Sequence, residues 1–304
     1  MEQTKSTRIK GIIAQLIAEV MFGLSFMFTK EATTEATPLE LLSWRFILAA
    51  VLFFILIKTG IFKADFRGKD LKAALLLGFL HPICYFLCEN QGIAMTSASE
   101  SGTIIATVPI FALLVSIFYL HIKPRRNQTI GIFITMAGVL ILVLSQGSKP
   151  TFNLPGYILL FGAVIAYSFF AAKSQITAEF SSVEKASIMI FTGAVFFTAA
   201  NIIMECFGGD LRTYAMLPFR SRSFLFAILY LGIGSSIIAF TCNNYGIAAL
   251  GITAASSFTG INTMIAVMAG VIFLHEPLSI LQAVATLLII IGVFIVNRVP
   301  PEEA

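Results

Sequence analysis

Charged residues are scarce in this chain. Aspartate, glutamate, lysine and arginine make up 12% of the 304 residues, whereas hydrophobic residues make up 58%. A soluble globular domain carries about 25% charged residues, so an ordinary water-exposed surface is excluded. Cysteine is also rare, and four cysteines in apolar surroundings are too few for a disulfide framework. The basic residues lie in short connections and form no continuous stripe, which argues against nucleic acid as a partner.

Long apolar runs take the place of the missing charge. A helix that crosses a bilayer needs about 20 apolar residues. Ten stretches meet this length, at 10–29, 39–58, 70–92, 99–121, 128–146, 153–173, 184–207, 221–246, 253–274 and 279–297. The connections between them are short. The sequence therefore predicts an all-α, polytopic membrane protein with ten transmembrane helices.

The distribution of lysine and arginine predicts the orientation. The N-terminus, the connection after the second span (58–72) and the connection after the fourth span (123–126) are basic, whereas the intervening connections hold few basic residues. Because cytoplasmic loops are enriched in lysine and arginine, both termini are predicted to lie in the cytoplasm. We expect the protein to be integral to the cytoplasmic (plasma) membrane, without a cleaved signal peptide.

The two halves of the chain are similar in sequence. Residues 73–143 align without a gap on residues 227–297. Shared apolar composition would produce scattered leucine and isoleucine matches, but asparagine, cysteine and histidine also match in register. The matched pairs include Cys88 with Cys242, Asn90 with Asn244, Leu120-His121 with Leu274-His275, and Gly138-Val139 with Gly292-Val293. We interpret these matches as an internal sequence repeat.

Each repeat contains five spans. Because five is odd, the second repeat begins on the opposite side of the membrane. The charges agree, since the connection after the fourth span holds Lys123, Arg125 and Arg126, whereas its counterpart LHEPLS (274–279) has no lysine or arginine. Inverted repeats are typical of secondary transporters, whose substrate site lies near the midplane. We therefore expect two domains, 1–149 and 150–304, of inverted topology.

Glu19 is an acid in the middle of the first span, about 13 Å from its start at 1.5 Å per residue. An ionisable residue at this depth is a functional-site hypothesis by default. A carboxyl group there is able to hold a proton and exchange it for a cationic group or a substrate. We predict that Glu19 binds substrate and couples transport to protons, and that the aromatic side chains of Phe22 and Phe26 also bind substrate. The alternative is a structural acid bonded to a neighbouring helix.

Two spans contain a helix-disrupting sequence at matching positions of the repeat. His81-Pro82 lies midway along the third span, and GIGSS at 232–236 corresponds to it in the eighth. Proline frees backbone carbonyls, which is tolerated in lipid only beside a cavity or a satisfying partner. Paired breaks point to a transport site, with a plain kink as the alternative. We predict that His81 and Tyr85 contact substrate and that His81 is a second proton-coupling residue.

Further polar side chains fall inside the spans. Glu89 and Arg45 are predicted to form a structural ion pair, with substrate binding by Glu89 as the alternative. Asn243, Asn244 and Asn262 either join helices through hydrogen bonds or line the substrate cavity.

No catalytic or metal-binding motif stands out. His81, Cys84 and Cys88 share a helix face, but they lack a fourth ligand, so no metal is expected. The sequence HEP at 275–277 lacks the second histidine of a zinc-protease motif. No cofactor is expected either, and an intramembrane enzyme is disfavoured.

Three longer motifs carry a family resemblance: TPLELLSWRFILAAVLFF (37–54), GIAMTSASESGTIIATVPIFALLVSIFYL (92–120) and FLHEPLSILQAVATLLIIIGVFIV (273–296). Through them the chain resembles the EamA-type ten-helix carriers of the drug/metabolite transporter superfamily over its whole length. LIAEVM (16–21) is similar to the first helix of the four-helix small multidrug carriers, whose carboxylate shared by proton and cationic drug would correspond to Glu19.

The resemblance implies a carrier, usually an exporter of amino acids, metabolites or lipophilic cations. We expect secondary active transport by alternating access, coupled to protons at Glu19. Uncoupled facilitation of a small metabolite is the alternative. The expected partners are a small-molecule substrate, the lipid bilayer and the proton. Ten helices would suffice for a monomer, and a homodimer is the other option.

Overall fold

The computed structural model describes residues 5–95, 104–144, 153–208, 210–273 and 280–297. Within these ranges the chain is helical and contains no strand. The helices are α1 (Lys5–Ala32), α2 (Pro38–Lys58), α3 (Leu71–Gly78), α4 (Tyr85–Met95), α5 (Val108–Phe118), α6 (Arg126–Leu144), α7 (Leu154–Ile176), α8 (Ser182–Gly208), α9 (Leu211–Arg220), α10 (Arg222–Leu229), α11 (Ala239–Leu250), α12 (Ile252–Ser257), α13 (Thr259–Phe273) and α14 (Ile280–Asn297). Two π-helical segments, Phe79–Cys84 and Tyr230–Ile238, join α3 to α4 and α10 to α11.

Seven helical stretches of the described chain are long and apolar enough to cross a membrane: Lys5–Thr29, Pro38–Lys58, Leu71–Gly92, Leu154–Ile176, Ser182–Gly208, Arg222–Leu250 and Ile280–Asn297. The prediction of an all-α, polytopic membrane protein is confirmed. The count of ten spans is not, and it stays a prediction. The predicted span 99–121 contains the shorter helix α5, and the predicted span 253–274 is divided at Phe258 between α12 and α13.

Local signals in the sequence set several helix starts. Thr37 caps α2: its Oγ1 accepts from the Glu40 amide at 3.3 Å, and its own amide donates to Glu40 Oε2 at 2.7 Å. Pro38 follows at the first helical position, where its missing amide hydrogen costs nothing. Asn153 caps α7 in the same way by accepting from the Gly156 amide at 3.1 Å. The positive φ of 80° at Gly251 separates α11 from α12.

Helix α9 was not predicted from the sequence. Asp210 caps it, and hydrogen bonds from Thr213 Oγ1 (2.6 Å) and the Arg212 amide (2.9 Å) hold the pKa of Asp210 below its ordinary value. The helix is fixed to the start of α2, since the hydroxyls of Tyr214 and Ser43 lie 2.6 Å apart. It covers the end of the helix bundle at which α2 begins.

The packing of the helices has an exchange symmetry. Helix α1 packs on α11 and α13, and α7 packs on α4 and α5. The other two large contacts join α2 to α8 and α6 to α14. If each helix is replaced by its counterpart in the other half of the chain, α1 with α7, α4 with α11 and α5 with α13, the contacts are reproduced. The halves therefore interlock rather than lying side by side.

The α6–α14 contact is antiparallel. Gly131 faces Gly292 and Val296, whereas Gly138, further along α6, faces Ala285 and Ile289. A Cβ atom on Gly138 would lie 2.8 Å from the carbonyl oxygen of Ala285, so a larger residue does not fit without movement. The small residues let the two backbones approach closely, as in many membrane helix pairs.

Candidate substrate site

Glu19 lies at the centre of a cluster of amides. Its side chain is 2% exposed. Gln15, one turn earlier on the same face of α1, donates from Nε2 to Glu19 Oε1 and to Asn243 Oδ1, each at 3.0 Å. The side chain of Asn262, from α13, also hydrogen-bonds the carboxyl group. No cationic side chain of the described residues lies within 4 Å of Glu19. The carboxyl group is therefore held by neutral partners only.

Tyrosine side chains connect this cluster to the broken helix. Tyr167 of α7 donates its hydroxyl to Asn243 Oδ1 at 3.3 Å. Its ring lies 6.0 Å from that of Tyr85 and 5.8 Å from that of His81. Both tyrosines interact electrostatically with Glu19. The structure thus brings Glu19, Asn243, Asn262, His81 and Tyr85 into one region.

The π-helical segments position the polar groups of this region. The first contains His81, whose backbone leaves the helical conformation at φ −145° and ψ 114°. The second contains Ser235 and Ser236, the residues that align with His81 and Pro82 in the repeat. Both segments occur where the sequence predicts paired disruptions. Because π-turns in helices are frequent at functional sites, this agreement supports a site between the two segments.

The structural ion pair between Arg45 and Glu89 stays a prediction, because the two groups interact electrostatically but are not in direct contact. Neither residue belongs to an ion pair within 4 Å in the described chain. Arg45 instead donates from Nε to Ser236 Oγ at 2.8 Å and from Nη2 to Ser235 Oγ at 2.9 Å. Glu89 accepts from the Tyr85 hydroxyl at 2.7 Å. The neutral hydroxyl partners lie nearer than the opposite charge, although the two charged groups still interact electrostatically.

His81 is enclosed by aromatic rings. The ring centroids of its neighbours lie 4.9 to 5.8 Å from its own, and they belong to Tyr85, Phe86, Tyr167, Phe170 and Phe240. Its Nδ1 is buried and has no hydrogen-bond partner among the described residues. A buried polar atom without a partner is costly unless a ligand or water completes it. The proton-coupling role of His81 stays a prediction.

The remaining predicted residues differ in position. Phe22 packs against Phe240, with ring centroids 6.1 Å apart, beside the Glu19 cluster. The side chain of Phe26 lies outside the described part of the chain. Asn244 turns away from Glu19: it accepts from Ser174 Oγ at 2.7 Å and donates to the Phe240 carbonyl at 2.9 Å. It joins α11 to α7, which favours the helix-joining alternative for this asparagine.

Sequence reasoning missed Gln15, Tyr167 and the two serines as members of the site. Gln15 precedes Glu19 by four residues, a spacing that places both on one helix face. Ser235 and Ser236 lie in the GIGSS stretch, whose sequence predicts a helix disruption but does not indicate that the two hydroxyls bind Arg45. Tyr167 lacks a comparable signal, because only the packing of α7 on α11 places it next to Asn243.

A cleft lies between the α2–α3 connection and the start of α8. It has a volume of about 640 Å³ and is lined by residues that include Lys63, Asp65 and Glu179. Lys69 and Glu184 form an ion pair of 2.6 Å at its edge, the only ion pair in the described ranges. This cleft is at the helix ends and is separate from the Glu19 region.

Comparison with known proteins identifies the family. The profile of the EamA-like transporter family matches residues 9–144 and again residues 154–298. A crystal structure with 17% sequence identity superposes with a TM-score of 0.79 over 95% of this chain and 96% of the other, which shows a shared fold.

Relatives of similar length carry transporter names. "Uncharacterized transporter YcxC" of Bacillus subtilis is 30% identical over 95% of this chain and 93% of its own. "Uncharacterized inner membrane transporter YedA" of Escherichia coli K12 is 27% identical over 91% and 87%. "Probable terminal-alkyne amino-acid exporter" of Streptantibioticus cattleyicolor is 22% identical over 76% and 75%. The chain therefore belongs to the EamA-like transporter family, and it is an integral membrane transporter.

Proposed function

We propose that the protein is a secondary transporter that exports a small metabolite, amino acid or organic cation by alternating access, and that proton exchange at Glu19 drives it. The observation that carries this proposal is a buried carboxyl group with amide partners and no cationic partner in the described chain. Such a group is neutral when a proton is bound, and it is neutralised by a cationic group of the substrate when the proton leaves.

The packing supports inverted repeats, 1–149 and 150–304. In the repeat alignment Gly131 and Gly138 correspond to Ala285 and Gly292. Gly131 faces Gly292, and Gly138 faces Ala285, so each contact maps onto the other when the halves are exchanged. Equivalent helices that meet antiparallel are related by an axis in the membrane plane, which is the arrangement of inverted-repeat transporters.

The chain ends support a common side for the termini. Arg8 Nη2 donates to the Asn297 carbonyl at 2.5 Å, so the start of α1 lies beside the end of α14. With the basic N-terminus, this favours termini that are both cytoplasmic, in the plasma membrane. The name of the Streptantibioticus relative supports export and an amino-acid substrate.

Competition for Glu19 gives a definite pH dependence. A low pH favours the protonated carboxyl group, which holds a cationic substrate group poorly. Substrate affinity is therefore expected to fall as pH decreases, and by reciprocity substrate displaces the proton. The test is dissipation of an imposed pH gradient in proteoliposomes, followed with a pH-sensitive dye during addition of amino acids, polyamines or quaternary amines.

We expect wild-type protein to dissipate the gradient with at least one compound, and Glu19→Gln to abolish this while the thermal unfolding midpoint is retained. Glu31→Gln is the matched control, because Glu31 is on the same helix but exposed. A Glu19→Gln protein that still couples fully would contradict the mechanism. Flux of the same compound that is indifferent to the gradient in the wild type would favour uncoupled facilitation instead.

A further inference from the structure

We infer that Arg45 is the anchor for a carboxylate group of the transported molecule, so that the site selects compounds with a single negative charge at one end and rejects purely cationic ones. The inference rests on the transport function proposed above and narrows its substrate class. It concerns the part of the site formed by Arg45, Ser235 and Ser236.

The guanidinium group of Arg45 is hydrogen-bonded through two of its nitrogen atoms, whereas the third has no acceptor among the described residues. It is 5% exposed, and its Nε and Nη2 atoms donate to Ser236 and Ser235. No described residue accepts a hydrogen bond from Nη1. The planar guanidinium is thereby oriented by neutral hydroxyls while donors remain for a ligand. A carboxylate matches this fork because it accepts two parallel hydrogen bonds.

The charge of Arg45 is not neutralised by a direct partner. The described residues place no carboxylate within 4 Å of it, and Glu89 uses Oε1 to accept from Tyr85. The guanidinium carbon lies 4.9 Å from the ring centroid of Phe86 and 5.4 Å from that of Phe46. These rings stabilise a cation in part. A buried cation whose neighbouring acid, Glu89, is not in direct contact is nevertheless costly, and an anionic ligand in direct contact lowers that cost.

The groups around Arg45 favour a carboxylate over a phosphate. Glu89 interacts electrostatically with the guanidinium and repels a doubly charged anion more strongly than a singly charged one. Tyr85 interacts electrostatically with both Arg45 and Glu19. The ring contact of Tyr85 with Tyr167, and the hydrogen bond of Tyr167 to Asn243, connect the Arg45 region to the cluster around Glu19. That arrangement fits a compact zwitterion with an apolar body.

The first test uses wild-type protein alone. Thermal unfolding in detergent is measured with pairs of compounds that differ only at the carboxylate, such as phenylalanine with phenylalaninamide and leucine with leucinamide. The carboxylate member is expected to stabilise the protein at a concentration at least tenfold lower than its amide. Equal or tighter binding of the amides, tighter binding of a phosphorylated compound, or no carboxylate-dependent stabilisation across the amino-acid panel overturns the inference.

The second test assigns the preference to Arg45. Arg45→Gln is expected to lose the tenfold difference between acid and amide, and Arg45→Lys to keep part of it. Arg222→Gln, which alters an exposed arginine, is expected to keep all of it. An Arg45→Gln protein that folds and retains the full preference contradicts the assignment. If Arg45→Gln does not fold, the Arg45→Lys protein and the wild-type pairs still decide.

The two proposals fail separately. If the protein prefers carboxylates but transport does not respond to a pH gradient, proton coupling at Glu19 is contradicted and the role of Arg45 is retained. If a pH gradient drives transport of quaternary amines, which carry no carboxylate, the coupling mechanism is retained and carboxylate binding by Arg45 is contradicted.

Discussion

At the scale of single residues, Gln15 determines the geometry around the acid. One amide group donates to both Glu19 and Asn243, so it fixes α1 against α11 at the depth of the carboxyl group. Its own Oε1 is buried without a partner in the described chain. Gly246 makes room for Gln15, because a Cβ atom there would overlap the Gln15 Oε1 atom.

We predict that Gly246→Ala displaces Gln15 and reduces gradient-driven transport at least tenfold without touching Glu19. Overpacking of this kind costs about 1–3 kcal/mol, so the unfolding midpoint is expected to fall as well. The assays are dye-monitored gradient dissipation and thermal unfolding. Gly162→Ala is the control, since its added methyl group would meet Cys88 Sγ at an ordinary 3.5 Å. Full transport by the Gly246→Ala protein would show that the position of Gln15 is unimportant.

The sequence identified the acid but not the environment of Arg45. Burial cost alone marks Glu19, because hydrocarbon penalises a charge at any rotation of the helix. The partners of Arg45 depend on which hydroxyls approach it when the second π-helical segment packs on α2. The sequence shows that Glu89 carries a charge opposite to that of Arg45. It does not show that Ser235 and Ser236 lie near enough to accept the hydrogen bonds of Arg45 instead.

At the scale of the elements, the start of α8 is fixed by its carboxylate. Glu184 accepts from Lys69 Nζ at 2.6 Å, from the Asp65 amide at 2.8 Å and from the Ser181 amide at 2.8 Å. The first two donors belong to the α2–α3 connection, and the third, Ser181, immediately precedes α8. One side chain therefore joins a loop of the first half to a helix of the second beside the 640 Å³ cleft.

We expect Glu184→Ala to destabilise the protein by about 2 kcal/mol, because hydrogen bonds to a charged acceptor contribute about 1.5–3 kcal/mol and this acceptor is 5% exposed. Chemical unfolding in mixed micelles, followed by circular dichroism, measures the loss. Glu179→Ala removes an exposed carboxylate that lines the same cleft and should change stability by less than about 0.5 kcal/mol. Equal effects of the two substitutions would refute this account of the α8 start.

The positions of the long apolar helices are predictable from the sequence, whereas the short helix α9 is not. Apolar length and a helix-disrupting dipeptide are local properties, and they located α1, α2 and the first π-helical segment. Helix α9 is short and contains Pro218, Arg212 and Arg220, so neither apolar length nor an uninterrupted pattern distinguishes it from a loop. It is stabilised by the contact of Tyr214 with Ser43, which is distant in sequence.

At the scale of the whole molecule, the interlocked halves imply opposite exposure of two connections. On the proposed topology Lys63 lies on the cytoplasmic side and Arg212 on the outer side. The described chain has no disulfide, and its four cysteines are free thiols, so a cysteine-free background is a reasonable starting point.

In that background we predict that Lys63→Cys is labelled by a membrane-impermeant maleimide only in inside-out vesicles, and Arg212→Cys only in intact cells. Both side chains are exposed, so accessibility reports the side of the membrane rather than burial. Permeabilised cells provide the control, in which both positions must react. Labelling of both from one side would contradict the proposed topology.

The two aligned segments of the repeat differ in chemistry. His81 corresponds to Ser235 and Glu89 to Asn243, so the titratable member of each pair is in the first half and the neutral member in the second. Two identical subunits around a twofold axis would offer a bound molecule two equivalent poses. Because the halves belong to one polypeptide, they have been free to diverge, and a head-to-tail molecule has a single preferred pose. Chemical asymmetry between the two halves of a transporter therefore favours one orientation of a bound substrate whose two ends differ.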